Sequence, residues 1–302
     1  MRAEAPHRAN SSPASLTVER IRLTGPSRRI DPRIHAARGD IADVALADRV
    51  FAPHYALPLE HGCAAVSAPI RAEPSLEARA VSELLRGEGF AVVDVAGGWA
   101  WGYSLHDHYV GYVALDALGT PLAATHRVSA PAGYLFSAPD IKAPIVARLP
   151  MGVLLAGTSG DAFLDTAEGF VHMRHVRALD DDEADYTGVA ERLIGAPYRW
   201  GGRSGDGLDC SGLVQTALAA AGIAAPRDSD QQAALGEEIA EGEALRRGDL
   251  IFFPGHVGIM ADEATLLHAN AFWMATVAEP LDDVVARLAP AYMQPVTARR
   301  RL

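Results

Sequence analysis

Leu208-Asp209-Cys210-Ser211-Gly212-Leu213-Val214-Gln215 opens a segment whose apolar residues recur at helical spacing. Leu213, Val214, Ala217, Leu218 and Ala221 line one face, and Gly222 stands where a C′ glycine belongs. That predicts a helix over Leu208 to Ala221. Its first turn carries a thiol, directly after the glycine-rich run Tyr198-Arg199-Trp200-Gly201-Gly202. Backbone N–H groups at a helix start are unpaired and partly positive, so they favour a thiolate at Cys210.

Working outward, Gly255-His256-Val257-Gly258 sets a histidine at the start of a short apolar strand. A cysteine at a helix start and a histidine at a strand start are the parts of a papain-like nucleophile and base. His268, in Leu266-Leu267-His268-Ala269-Asn270, can fix the tautomer of His256 from the neighbouring strand, with Asn270 as the other choice. Asp209 either caps the helix or faces the cleft. Tyr198 either packs or sets its hydroxyl near the oxyanion, beside the N–H of Cys210. A helix at Val189–Ile194, the long helix, and strands at Leu250–Phe253, Val257–Met260 and Thr265–Ala269 predict an α+β layer.

Upstream, Ala64-Ala65-Val66, Ala91–Val95, Trp99–Tyr103 and Tyr109–Val113 read as strands of a small barrel. Thr125–Val128, Gly152–Ala156, Phe163–Thr166 and Gly169–Val171 repeat that texture, which suggests a tandem pair. Asp180-Asp181-Asp182-Glu183 marks a linker. From Asp31 to Val50 the spacing predicts a helix. The expected layout is a tail and helical segment (1–55), a first barrel (56–120), a second (121–182) and a catalytic domain (183–302).

The chain has 302 residues, 49% hydrophobic and 22% charged, which argues against global disorder. A net charge of −11 disfavours nucleic acid or an anionic membrane as a partner. Met1 to Pro13 is polar with no apolar core, so it does not read as a secretory signal, and a cytoplasmic location is expected. Two cysteines, Cys63 and Cys210, give no disulfide framework. His106-Asp107-His108 and His172-Met173-Arg174-His175 lack a convincing third ligand, so no metal is expected.

Pro197-Tyr198-Arg199-Trp200-Gly201-Gly202, Leu208–Gln215, Arg247-Gly248-Asp249-Leu250, Gly255–Ile259 and His268-Ala269 together resemble the NlpC/P60 family of cysteine peptidases. The resemblance spans the last third of the chain. It implies a papain-like core, no cofactor, and Cys210, His256 and His268 as catalytic residues. The upstream repeats resemble bacterial SH3 (SH3b) domains, so the implied fold is an α+β papain-like domain preceded by two all-β SH3-like barrels. This arrangement resembles the γ-D-glutamyl-L-diamino acid endopeptidases within that family. That implies cleavage of murein tripeptide or tetrapeptide with a free L-Ala, in cell-wall peptide recycling, by a chain expected to be monomeric. Asp228 and Ser229, Tyr109 and Glu73 match that subgroup's substrate contacts, joined by Tyr198, Trp200, Asp209 and Ser211; Glu77 or Glu83 could replace Glu73. Arg199, Arg203 and Arg227 are candidates for the α-carboxylate of D-glutamate. The competing readings are an endopeptidase acting on intact wall, a non-catalytic wall-binding module, and an acyltransferase or amidase on the same core.

Overall fold

The computed structural model describes residues 29–302; the expected N-terminal tail falls almost wholly outside them. The last third forms a six-stranded antiparallel sheet. Its order is Glu237–Glu238, Ala298–Arg301, Leu250–Phe253, His256–Met260, Thr265–Asn270 and Ala275–Pro280. Helix Cys210–Ala220 packs against it, with Leu213, Val214, Ala217 and Leu218 fully buried beside Leu250, Val257, Ile259 and Leu267. The helix starts two residues later than the spacing predicts, because Asp209 caps it. Every residue from Cys210 to Leu218 is buried, so this is a central helix covered on all sides. Three further helices among the described residues are Tyr186–Glu191, Ser229–Gln232 and Leu281–Leu288.

Upstream lies a seven-stranded antiparallel sheet. Its order is Ala80–Leu85, Ser67–Arg71, Val110–Ala114, Trp99–Ser104, Gly89–Ala96, Leu59–Cys63 and Leu118–Gly119. Three of the four expected strands fall within it; Ala64–Val66 is instead the turn between two strands. Its two outer strands do not pair with each other, so hydrogen bonding does not close a barrel. The next segment forms a five-stranded and a three-stranded sheet around Leu135, Leu149, Val153, Leu164 and Val171.

The helix expected over Asp31–Val50 is absent. The chain there makes a strand, Ile41–Asp43, and a single 3₁₀ turn, Val44–Leu46. Ile41 packs on the cluster of Ala36, Val93 and Trp101, and Arg38 stacks 4.7 Å from the Trp101 ring, so contact with the seven-stranded sheet overrides local periodicity. No helix among the described residues is long and apolar enough to cross a membrane.

A buried polar seam joins the seven-stranded sheet to the last third. Arg203, 4% exposed, donates to Glu88 (2.9 Å), to the Glu83 carbonyl (2.8 Å) and to Gln215 (2.6 Å). Glu83, 1% exposed, accepts from Arg199 (2.7 Å) and from the Arg203 backbone N–H (2.9 Å). Gln215 donates to Asp107 (2.8 Å). Nearly every member finds a charged partner, which such burial requires.

Candidate active site

Asp209 builds the start of the central helix. One carboxylate oxygen accepts the Gly212 N–H and the other the Gly201 N–H, both at 2.8 Å. Gly212 must be glycine, since a Cβ there would lie 2.1 Å from the Gly202 carbonyl oxygen. Arg227, 1% exposed, grips the same carboxylate with both terminal nitrogens (2.9 and 2.5 Å) and donates to the Ser211 hydroxyl (2.9 Å). Asp209 is thus cap and ion-pair partner at once, although it also lines the cleft.

The backbone N–H groups of Ser211 and Val257, the second of which follows His256, lie near enough to the Cys210 thiol to favour its thiolate. Helix start and strand start therefore meet at the sulfur. Across the strands, His256 Nε2 lies 2.8 Å from His268 Nδ1. A Cβ on Gly258 would meet the Leu266 side chain at 2.8 Å and the His268 Cβ at 3.1 Å, so glycine there lets the strand carrying His268 pack close. Asn270, the other choice for third member, sits behind His268, with Nδ2 2.7 Å from Nε2. Sequence reasoning missed Glu279, whose carboxylate lies 2.9 Å from the same Nε2 and pairs with Arg287 (2.9 and 2.5 Å).

Electrostatics correct the expectation of a resting thiolate. Burial, then the Asp209 carboxylate, pushes the Cys210 thiol up to about 11, outweighing the N–H donors. Burial, then His268, pushes the His256 imidazole down to about 3. Between those values thiol and imidazole are both neutral. Alkylation of Cys210 by iodoacetamide is therefore expected to rise with pH from about 8 toward 11, as solvent takes the thiol proton. A pH-independent rate across that range would instead mark a thiolate–imidazolium pair. Burial, with Cys210 and Asp209 nearby, also pushes the Tyr198 hydroxyl up to about 12, so it stays a donor at neutral pH.

Cys210 opens into a cleft of about 430 Å³ lined also by Trp200, Ser211, Asp228, Ser229, Tyr109 and Arg33. Tyr109 immediately precedes the strand Val110–Ala114 of the seven-stranded sheet, and its hydroxyl donates to Asp228 (3.1 Å). Arg33, in the segment expected to be helical, donates to Asp228 (2.9 Å), to Asp230 and to Asp31 (each 2.8 Å). Glu73 and Glu77 are exposed and do not line this cleft, whereas Ala72 and Arg79 do. Glu83 is committed to the seam. The three arginines considered for an anionic ligand are all engaged: Arg199 with Glu83, Arg203 with Glu88, Arg227 with Asp209. Among the described residues, no group of three or more His, Cys, Asp or Glu is arranged to hold a metal ion.

The NlpC/P60 family matches residues 195–296, and the bacterial dipeptidyl-peptidase SH3 domain matches residues 70–118. Dipeptidyl-peptidase 6 of Lysinibacillus sphaericus is 27% identical over 241 residues, 68% of this chain and 86% of that protein. The γ-D-glutamyl-L-lysine dipeptidyl-peptidase of Bacillus subtilis is 31% identical over 166 residues, 49% of this chain and 55% of that one. A solved NlpC/P60 family protein from Bacillus cereus superposes with a TM-score of 0.68 at 20% identity, covering 80% of this chain and 99% of that one. That likeness establishes a shared fold.

Proposed function

Residues 195–296 match the NlpC/P60 family of cysteine peptidases, and from that premise we propose that the chain cleaves the γ-D-glutamyl–diamino acid bond of murein peptides bearing a free N-terminal L-Ala. The product would be L-Ala-D-Glu, as in cell-wall peptide recycling. The observation that carries this reading is the Asp228 carboxylate at the cleft wall, met by a Tyr109 hydroxyl from the SH3-matched unit. A free ammonium entering a confined cleft loses water and needs such a carboxylate. Arg33 occupies Asp228 Oδ2, while among the described residues Oδ1 has only the Tyr109 hydroxyl at 3.4 Å, which leaves it able to accept the ammonium. Asp31, Asp228 and Asp230 surround the single Arg33 guanidinium, so the local charge stays negative. Arg79, at the same wall, is the cation we assign to the α-carboxylate of D-glutamate. We read the unit after residue 120 as a second SH3-like module acting as a spacer.

The chemistry is acyl transfer. As Cys210 Sγ attacks the γ-carbonyl, its proton passes to His256 Nδ1, the ring nitrogen turned away from His268. The oxyanion takes hydrogen bonds from the Cys210 N–H and the Tyr198 hydroxyl. The His256 imidazolium then protonates the departing amine of the diamino acid. Water hydrolyses the thioester and releases the dipeptide.

Incubation with free L-Ala-γ-D-Glu-diamino acid and with its N-acetylated form tests the reading. Dipeptide release is expected to be far faster from the free peptide than from the N-acetylated one. Equal turnover of both overturns the amine requirement, and cleavage of glycan-linked stems would favour a wall endopeptidase. Asp228→Ala is expected to lower kcat/KM on the free peptide by about 10- to 100-fold, the worth of a charged hydrogen bond. An equal loss on an N-acetylated peptide would remove Asp228 as the anchor.

A further inference from the structure

His268 Nε2 has two suitors that demand opposite tautomers. The Asn270 amide presents Nδ2, a donor, because its Oδ1 already accepts the Trp273 N–H at 2.8 Å. A donor there calls for a bare Nε2. The Glu279 carboxylate at 2.9 Å is an acceptor and calls for a proton on Nε2. Glu279 is held by two hydrogen bonds from Arg287, whose guanidinium is itself fixed 4.0 Å from the Phe272 ring centroid. Those bonds push the Glu279 carboxyl down to about 2, so it is charged at neutral pH.

We propose that Glu279 is the positioning residue that sets the proton chain of the active site, acting through His268. A charge-assisted bond outweighs a neutral one about twofold, so the carboxylate prevails over the amide. With the proton on Nε2, His268 Nδ1 is an acceptor and takes the His256 Nε2–H across 2.8 Å. His256 Nδ1 then carries the lone pair that the Cys210 proton needs. In the opposite arrangement His268 donates to His256 Nε2, and His256 Nδ1 bears the hydrogen. That state cannot act as a base. The carboxylate also steadies the positive charge that reaches the two rings during attack.

The proposal rests on the acyl-transfer reading, so one readout is independent of any peptide. In Glu279→Ala, alkylation of Cys210 by iodoacetamide at pH 7 is expected to slow about 10-fold, with little change near pH 10, where solvent removes the proton. On whichever peptide is cleaved, kcat falls on the order of 100-fold with KM within about twofold. Glu279→Ala combined with Asn270→Asp is the decisive variant. An aspartate there accepts from both the Trp273 N–H and His268 Nε2–H, so about 10-fold of the lost rate is expected back. Unfolding midpoints in urea check that each variant is folded. Unchanged alkylation at pH 7 in Glu279→Ala, or no recovery in the double variant, overturns the proposal. Failure to cleave the free tripeptide with these alkylation effects intact would overturn the substrate reading alone.

Discussion

Replacing Cys210 by alanine is expected to lower peptide turnover by about 10⁵-fold or more while the protein keeps its fold. Nucleophile and base act as one unit, so losing either removes nearly all of the covalent route, and only binding and oxyanion stabilisation survive. The sulfur is small and 7% exposed, and the helix start around it rests on Asp209 and not on the thiol. Urea unfolding should therefore move little. Cys63 provides the control: it is buried in the seven-stranded sheet, its thiol is pushed up to about 12 chiefly by burial, and Cys63→Ala should leave turnover as it was. Turnover by Cys210→Ala within about 100-fold of the parent would end the assignment.

Arg227→Leu is expected to destabilise the protein by about 3–5 kcal/mol, because it strands a buried carboxylate. Asp209 is 6% exposed and loses both guanidinium contacts, while Ser211 and Ser82 each lose a donor. Adding Asp209→Asn removes the unpaired charge and should recover part of the loss, since the amide oxygen still caps one N–H. Urea denaturation of the two single variants and the double measures the coupling. Strictly additive losses would mean that the pair does not act as a pair.

The central helix was legible because its signals are local: an Asp cap, apolar residues at 3.6 spacing, and Gly222, which adopts φ 71°. His256 and His268 were legible because both sit in short apolar strands next to glycine or alanine. What stayed hidden depends on contacts distant in sequence. Arg227, in Pro226-Arg227-Asp228-Ser229, reads as a solvated loop arginine, and only the fold brings it under Asp209. Glu279 lies on Ala275–Pro280, a strand that adjoins Thr265–Asn270 but ends in proline and lacks β-rich composition. Arg33 was lost to a helical pattern that the sheet beside it overrides. The neutral thiol follows from burial, which no spacing reports.

The seam of Glu83, Glu88 and Asp107 against Arg199, Arg203 and Gln215 bolts two separate scaffolds together. One scaffold carries Cys210, His256 and His268, and the other sets the Tyr109 hydroxyl against Asp228 at the cleft wall. Slackening those bolts should blur discrimination between peptides before it dulls the cut, which makes the joinery the place to test for selectivity.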